Sequence, residues 1–293
     1  MAAEGLLIER ARAKINLTLQ IRGRREDGFH DLESLVCFAG VADRLTFVQG
    51  GDFALTMTGP GAATLSAEAD NLVLRAARHL AERVPGLKAG TFHLDKVLPI
   101  AAGIGGGSAD AAAALRLLAR AHGLSLDDER VMEAARVSGS DVPVCLTSKA
   151  RMMRGVGAEL GAPLHLPPLY ALLVNPRVAV ETKTVFGKLG LAPGESLGLG
   201  AHPDIPDGAS FESLLALVKK GRNDMEDAAQ VIAPVIGHVI AVLSAARGCK
   251  LARMSGSGAT CFALFETRSA ALKAAQVLRR DHSDWWIAPT LLR

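Results

Sequence analysis

Aromatic residues are scarce in this chain of 293 residues: nine Phe, two Trp and one Tyr make up 4%. That excludes a nucleic-acid surface built from stacking platforms, which needs several exposed rings along a basic groove. Charge of one sign is lacking too, since 33 Lys and Arg against 30 Asp and Glu leave a formal net charge of +3. A mildly basic balance suits anionic small molecules and falls short of a nucleic-acid footprint. Cysteine is sparse, and Cys37, Cys145, Cys249 and Cys261 form no Cys-x-x-Cys pair. Buried free thiols are therefore expected, rather than a disulfide frame or a zinc site, and with them a reducing compartment. No stretch reaches about 18 uninterrupted apolar residues, and the first residues show no basic segment followed by a long apolar run. The expectation is a cytoplasmic protein with no membrane anchor and no nucleic-acid partner. No period of 20 to 50 residues recurs.

What is present is the balance of a globular protein, 49% hydrophobic and 22% charged, long enough for two cores. The proline-bearing stretch Ala162 to Pro168 suggests the boundary, giving domains 1–163 and 164–293. The most informative stretch is Lys96 to Ala121, KVLPIAAGIGGGSADAAAALRLLARA. An apolar run ends at Pro99, Gly103, Gly105, Gly106, Gly107 and Ser108 follow, and then come strong helix formers. Glycine lets a backbone approach a ligand closely, and a helix N-terminus offers unpaired N–H groups with partial positive charge. Together they make a phosphate cradle. The plain alternative is a flexible turn. The dinucleotide spacing fails because the sixth position from Gly103 is Ser108, and a P-loop would need Lys where Gly107 stands.

Along the rest of the chain, Ala11 to Ile21 alternates, with Arg12, Lys14, Asn16, Thr18 and Gln20 on one face of a half-buried strand. Lys14 and Asn16 would stand about 7 Å apart, able to meet one polar ligand or simply to face solvent. Asp27-Gly28 signals a hairpin turn, and Phe29 and His30 follow it as either a core plug or an exposed stacking platform. Asp70-Asn71 caps a helix through Ala81, and a further helix spans roughly Leu126 to Val137. Leu115, Leu118 and Ala119 mark the core face of the helix after the glycine loop. Asp141 lies between a helix end and the apolar run Val142 to Leu146, bracing a turn or facing a cleft.

Strands are expected over Arg151 to Leu160 and Leu169 to Val174, and a long aperiodic loop, mobile or ligand-related, over Pro193 to Ser210. Helical stretches open at Arg222 and continue, broken at Pro234, to about Ala246. Met254 to Thr260 is a second glycine-rich turn between two strands. There Gly256 and Gly258 serve close backbone packing or a second wall of a phosphate site. A last helix, Arg268 to Arg280, leads to Trp285 and Trp286, read as packing residues, and a terminal strand.

Pro99 to Ala109, P-I-A-A-G-I-G-G-G-S-A, resembles the phosphate loop of the kinase superfamily named for galactose, homoserine, mevalonate and phosphomevalonate kinases (GHMP). Gly139-Ser-Asp141-Val-Pro143 resembles its second motif and MSGSGATCFALF, from Met254, its third. The resemblance implies an α+β, two-domain GHMP-kinase fold. Its ATP-binding N-terminal domain would be like domain 2 of ribosomal protein S5 and its C-terminal α/β domain ferredoxin-like, with the active site in the cleft between them. It also implies ATP as phosphoryl donor, with Mg²⁺ carried in on ATP.

Four further stretches, A-K-I-N-L from Ala13, D-G-F-H-D-L-E from Asp27, D-N-L-V-x-R-A from Asp70 and V-E-T-K-T-V-F from Val180, resemble one branch of that superfamily. Its members phosphorylate a cytidine diphosphate alcohol in non-mevalonate isoprenoid synthesis. The resemblance implies that Asp141 is the general base and that Lys14 lies near the transferring phosphoryl group. Nucleotide contacts would come from Asn71, Lys96, Pro99, Ile100, Ala101, Ala102, Gly103, Ile104, Gly105, Gly106, Gly107, Ser108 and Ala109. Substrate contacts would come from Asn16 and Thr182, from Phe29 and Phe186 sandwiching the cytosine, and from His30 reading its edge. Position 29 is often Tyr in this branch and is Phe here, and Glu181 stands where a small residue is common. The alternatives are a mevalonate or homoserine kinase of the same superfamily, or a catalytically dead nucleotide-binding module.

Overall fold

The structure is a computed structural model that describes residues 6–62, 71–198 and 200–293. Asp70, half of the expected cap, lies outside the described residues. In chain order the elements are β1 (Leu7–Asn16), β2 (Gln20–Arg24), β3 (His30–Gln49), β4 (Ala54–Thr58), α1 (Leu72–Arg83), β5 (Gly90–Asp95), α2 (Gly106–Ala121), α3 (Glu129–Ser138) and α4 (Val142–Thr147). They continue with β6 (Arg151–Gly155), β7 (Glu159–Leu160), β8 (Leu169–Asn175), α5 (Thr182–Lys188), α6 (Phe211–Lys220), α7 (Glu226–Ile232), α8 (Val235–Ala245), β9 (Cys249–Met254), β10 (Cys261–Phe265), α9 (Arg268–Asp281) and β11 (Trp286–Leu292). Two compact units result: residues up to 13 with 41–100 and 105–148, and residues 14–40 with 101–104 and 149–293. β1 and the 20-residue β3 each contribute residues to both units.

In the first unit, the second half of β3 pairs antiparallel with β5, and β4 pairs parallel with β5. Helices α1 to α4 pack on one another. α2 is their centre because its run of alanines lets neighbours approach from several sides. Ala109 to Leu115 are all buried, where the helical spacing had marked a single core face. Asn71 caps α1, its side-chain oxygen accepting from the N–H of Val73 at 3.0 Å. Asp128 caps α3 in the same way through Arg130 N–H, so that helix starts at Glu129 rather than Leu126.

In the second unit, β11-β8-β10-β9 form an all-antiparallel sheet. The chain runs strand, helices, hairpin, helix, strand, which is the ferredoxin-like arrangement. Val174, Cys261, Ala263 and Phe265 of the sheet, Ile236 and Val239 of α8, and Ala275 and Leu278 of α9 fill its core, with Trp285. The β2–β3 hairpin turns at Asp27-Gly28 as its sequence suggests, Gly28 taking φ of 86°. The expected strand Ala11 to Ile21 breaks after Asn16, and its polar face is buried: Lys14, Asn16, Thr18 and Gln20 are each at most 5% exposed. The loop over residues 193–203 has neither helix nor regular strand among its described residues, yet it is tied to β2 through Arg24 N–H to Glu195 O and Gly194 N–H to Arg24 O, both 2.8 Å. His202 Nε2 meets the Thr18 hydroxyl at 2.6 Å. α6, capped by Ser210, was not anticipated. Among the described residues no helix is long and apolar enough to cross a membrane.

Candidate functional site

The two glycine-rich turns meet backbone to backbone within the second unit. Gly103 has φ of 70°, and a Cβ there would lie 2.5 Å from Ser255 O and 2.6 Å from Gly258 N. A Cβ on Gly256 would lie 2.6 Å from Gly103 O. Such distances are below any van der Waals contact, so both positions require glycine. Thr260 N–H donates to Ala102 O at 3.1 Å, and Ser255 Oγ to Gly103 O at 3.1 Å. The close-packing reading of Gly256 therefore holds, and its partner is the first loop.

Three residues expected at the site attach to the same pair of turns. Lys14 N–H donates to Ile104 O at 2.9 Å, Asn16 N–H donates to Ser255 Oγ at 3.1 Å, and Thr182 Oγ1 meets Ser257 Oγ at 2.8 Å. Asn16 donates its amide to Ser34 Oγ, while its buried Oδ1 has no hydrogen-bond partner. An orphaned acceptor on a 3% exposed side chain is costly unless a ligand meets it.

In the first unit the loop becomes α2. Gly105, in left-handed backbone with φ of 60°, occupies the N-cap position and has no side chain with which to cap. The first-turn N–H groups of Gly106, Gly107 and Ser108 have no carbonyl one turn back to bond, and the helix dipole adds positive potential there. Pro99, Ile100 and Ala101 lead in, with Ala101 exposed at φ of 50°. Ala109 closes the turn onto Gly105 O at 2.8 Å. This geometry suits phosphate oxygens.

Lys96, expected at the nucleotide, has a side chain that is 2% exposed, with its ammonium between Asp43 Oδ2 at 2.5 Å and Asp110 Oδ2 at 2.7 Å. Burial alone would lower its pKa, but the two carboxylates outweigh that and hold it above the ordinary lysine value. Asn71 stands at the start of α1 as its cap. Asp141 occupies the N-cap position of α4, half-buried, without using its carboxylate as the cap. The apolar run after it is thus a short helix with Pro143 in its first turn.

Elsewhere in the second unit, Phe29 is 64% exposed at the hairpin tip. His30 stacks on Phe186 with ring centroids 4.4 Å apart and planes at 17°. Phe186 lies one turn beyond Thr182 on α5, which puts both on one helix face. Glu181 precedes them, exposed, and accepts from Thr184 Oγ1. Burial, and then the nearby Arg24, lower the His30 pKa, which favours the neutral ring. Its Nε2 is buried without a hydrogen-bond partner.

Two side chains hold the second turn, and a third, Arg253, ties the strand leading into it to other segments; none of the three is marked as a site residue by its local sequence. Asn223 Nδ2 donates to Met254 O and Gly256 O, both at 2.9 Å, and its Oδ1 accepts from Met225 N–H. Glu226 Oε2 accepts from Met254 N–H at 2.8 Å. Arg253 reaches the carbonyls of Leu17, Val218 and Gly221. The one available signal was Asn223 inside R-N-D-M-E, which reads equally well as an ordinary helix start. Asn223→Ala is expected to cost about 1–3 kcal/mol by stripping buried carbonyls of their donors. A urea-denaturation midpoint equal to the wild type would contradict this.

Comparison with known proteins gives the same direction. Residues 71–149 match the GHMP kinases N terminal domain and residues 207–284 the GHMP kinases C terminal domain. The 4-diphosphocytidyl-2-C-methyl-D-erythritol kinase of Methylobacterium radiotolerans is 58% identical over 289 residues, 98% of this chain and 99% of that protein. A crystal structure of 4-(cytidine 5'-diphospho)-2C-methyl-D-erythritol kinase superposes with a TM-score of 0.75 at 32% identity, covering 97% of this chain and 99% of the other. Homoserine kinase from Cytophaga hutchinsonii, at 20% identity and a TM-score of 0.71 over 100% of this chain and 96% of that one, shares the fold. The chain belongs to the GHMP kinase superfamily and, within it, to the family of 4-diphosphocytidyl-2-C-methyl-D-erythritol kinases.

Proposed function

We propose that this chain transfers the γ-phosphoryl group of ATP to the 2-hydroxyl of 4-(cytidine 5'-diphospho)-2-C-methyl-D-erythritol, in the methylerythritol phosphate route to isoprenoid precursors. The observation that carries the reading is the backbone contact between Gly103 and the turn at Ser255 to Gly258, to which Lys14, Asn16 and Thr182 are also bonded. Phosphoryl transfer asks mainly for alignment and charge compensation. The amides of residues 103–108 and the α2 N-terminus hold the phosphates, and the Lys14 ammonium offsets charge on the moving group. The acceptor oxygen attacks the γ-phosphorus as its bond to the β,γ-bridging oxygen breaks, ADP leaves, and Asp141 takes the hydroxyl proton. Mg²⁺ arriving on ATP would supply further charge neutralisation at the β- and γ-phosphates.

The pyrimidine supplies remote binding energy. Phe29 offers an exposed ring, Phe186 a second one, and His30 an unpartnered nitrogen for the base edge. His30 now rests on one face of Phe186, so cytosine takes the other face or displaces the imidazole. Buried Cys37, Cys145 and Cys261, all free thiols, support a cytoplasmic setting.

ADP release measured with the cytidine diphosphate alcohol, mevalonate and homoserine tests the reading. Turnover confined to the first is expected, and robust turnover of mevalonate alone would overturn it. Phe29→Ala is expected to raise KM for the cytidine substrate about tenfold or more, the scale of one stacking contact, with little change in kcat. Because that ring is largely exposed, thermal stability should hardly move. An unchanged KM would remove Phe29 from the pocket.

A further inference from the structure

Three charged side chains in the first unit are buried together and take no part in the chemistry above. Asp43 is 0%, Lys96 2% and Asp110 3% exposed. Burying one cation with two anions carries a heavy desolvation cost, and apolar residues of similar volume would often serve stability as well or better. The placement of the cluster suggests what it is for. Asp43 Oδ1 accepts from Val97 N–H at 2.6 Å and from Leu98 N–H at 2.8 Å, immediately ahead of Pro99. Asp43 Oδ2 binds the Lys96 ammonium, which in turn binds Asp110 Oδ2 one turn into α2. One continuous chain of ionic hydrogen bonds therefore joins the backbone entering the glycine loop to the helix leaving it. The ammonium sits directly beneath that helix end, since a Cβ on Gly106 would come within 3.2 Å of Lys96 Nζ. A lone cation there would oppose the helix dipole. Two carboxylates reverse the sign and make the position favourable.

We propose that Asp43, Lys96 and Asp110 form a clasp that fixes the span of the glycine loop, so that the three are positioning residues for ATP although none touches it. The inference rests on the reading of the loop as the nucleotide site. Burial, first, and the neighbouring Asp43 charge lift the Asp110 pKa against the pull of Lys96. Glycines at 103, 105, 106 and 107 give the loop freedom of its own. Residues 102–104 are held by the second glycine turn and Lys14; without a tie between Leu98 and α2, the first-turn N–H groups would lose their fixed place, and ATP would have to order them on binding.

Asp43→Ala and Asp110→Ala cut the clasp at opposite ends, and each leaves Lys96 with one carboxylate, so neither strands a buried charge. Equilibrium titration of each variant and the wild type with MgATP, and separately with the cytidine diphosphate alcohol, reads the effect. The clasp predicts at least tenfold weaker MgATP binding in both variants, with acceptor affinity kept within threefold. Unchanged MgATP affinity in either folded variant overturns it. So does a parallel loss of both affinities with a lowered melting temperature, which would mark a merely structural cluster. If the wild type binds no MgATP, the nucleotide reading itself fails instead. Should Asp43→Ala not fold, Asp110→Ala, which leaves the Val97 and Leu98 amides bonded, decides alone.

Discussion

Replacing Asp141 with asparagine is expected to lower kcat by at least about 100-fold while ATP still binds, the low end of what a positioned general base contributes. The low end is the right one, because phosphoryl transfer through a loose transition state depends more on alignment and charge than on proton removal. Asparagine has the shape of aspartate but cannot accept the proton. Asp141 holds its N-cap backbone conformation, φ −89° and ψ −10°, without a capping bond from its side chain, so α4 should survive the exchange. Steady-state kinetics beside equilibrium ATP titration checks both halves. Wild-type turnover would take Asp141 out of the reaction, and lost ATP binding would give it a different task.

Gly103→Ala is expected to cost about 2–5 kcal/mol. A side chain in left-handed backbone contributes about 1–2 of this, and forcing a methyl into a packed site about 1–3 more. The atoms it would meet, Ser255 O at 2.5 Å and Gly258 N at 2.6 Å, are backbone and cannot rotate aside. The two turns must then separate, and misplacing a phosphate-holding loop by about 1 Å costs on the order of 100-fold in rate. Gly123→Ala is the control. Gly123 also has positive φ, 64°, but a Cβ there meets nothing within 4 Å, so it incurs the backbone cost alone and should leave kcat/KM near wild type. Urea midpoints and kcat/KM for the two variants separate the terms. Equal and small losses in both would mean that the glycine turns do not depend on their contact.

Local chemistry made much of the molecule legible. The glycine run followed by alanine and leucine gave a loop and a helix, Asn71 gave a cap, and Asp27-Gly28 and Gly256-x-Gly258 gave the turns of two hairpins. What stayed hidden was decided by partners distant in the chain. A lysine at the end of a strand reads the same whether it meets a phosphate or, as Lys96 does, an aspartate 53 residues away. Alternation over Ala11 to Ile21 correctly separated two faces, but whether the polar one meets water depends on residues near 202 and 255. The alanines of α2 carry too little surface to register burial on several sides. Asn223 and Arg253 work through backbone carbonyls, which no residue type advertises. The length of β3 is a property of pairing along its whole extent and not of any one window.

The most direct test is a crystal structure with a non-hydrolysable ATP analogue and the cytidine diphosphate alcohol bound together. The triphosphate should lie against the amides of residues 103–108, with an Asp141 carboxylate oxygen about 2.6–3.2 Å from the acceptor hydroxyl. A triphosphate bound elsewhere, or an Asp141 carboxylate turned away from that hydroxyl, would contradict the proposed reaction.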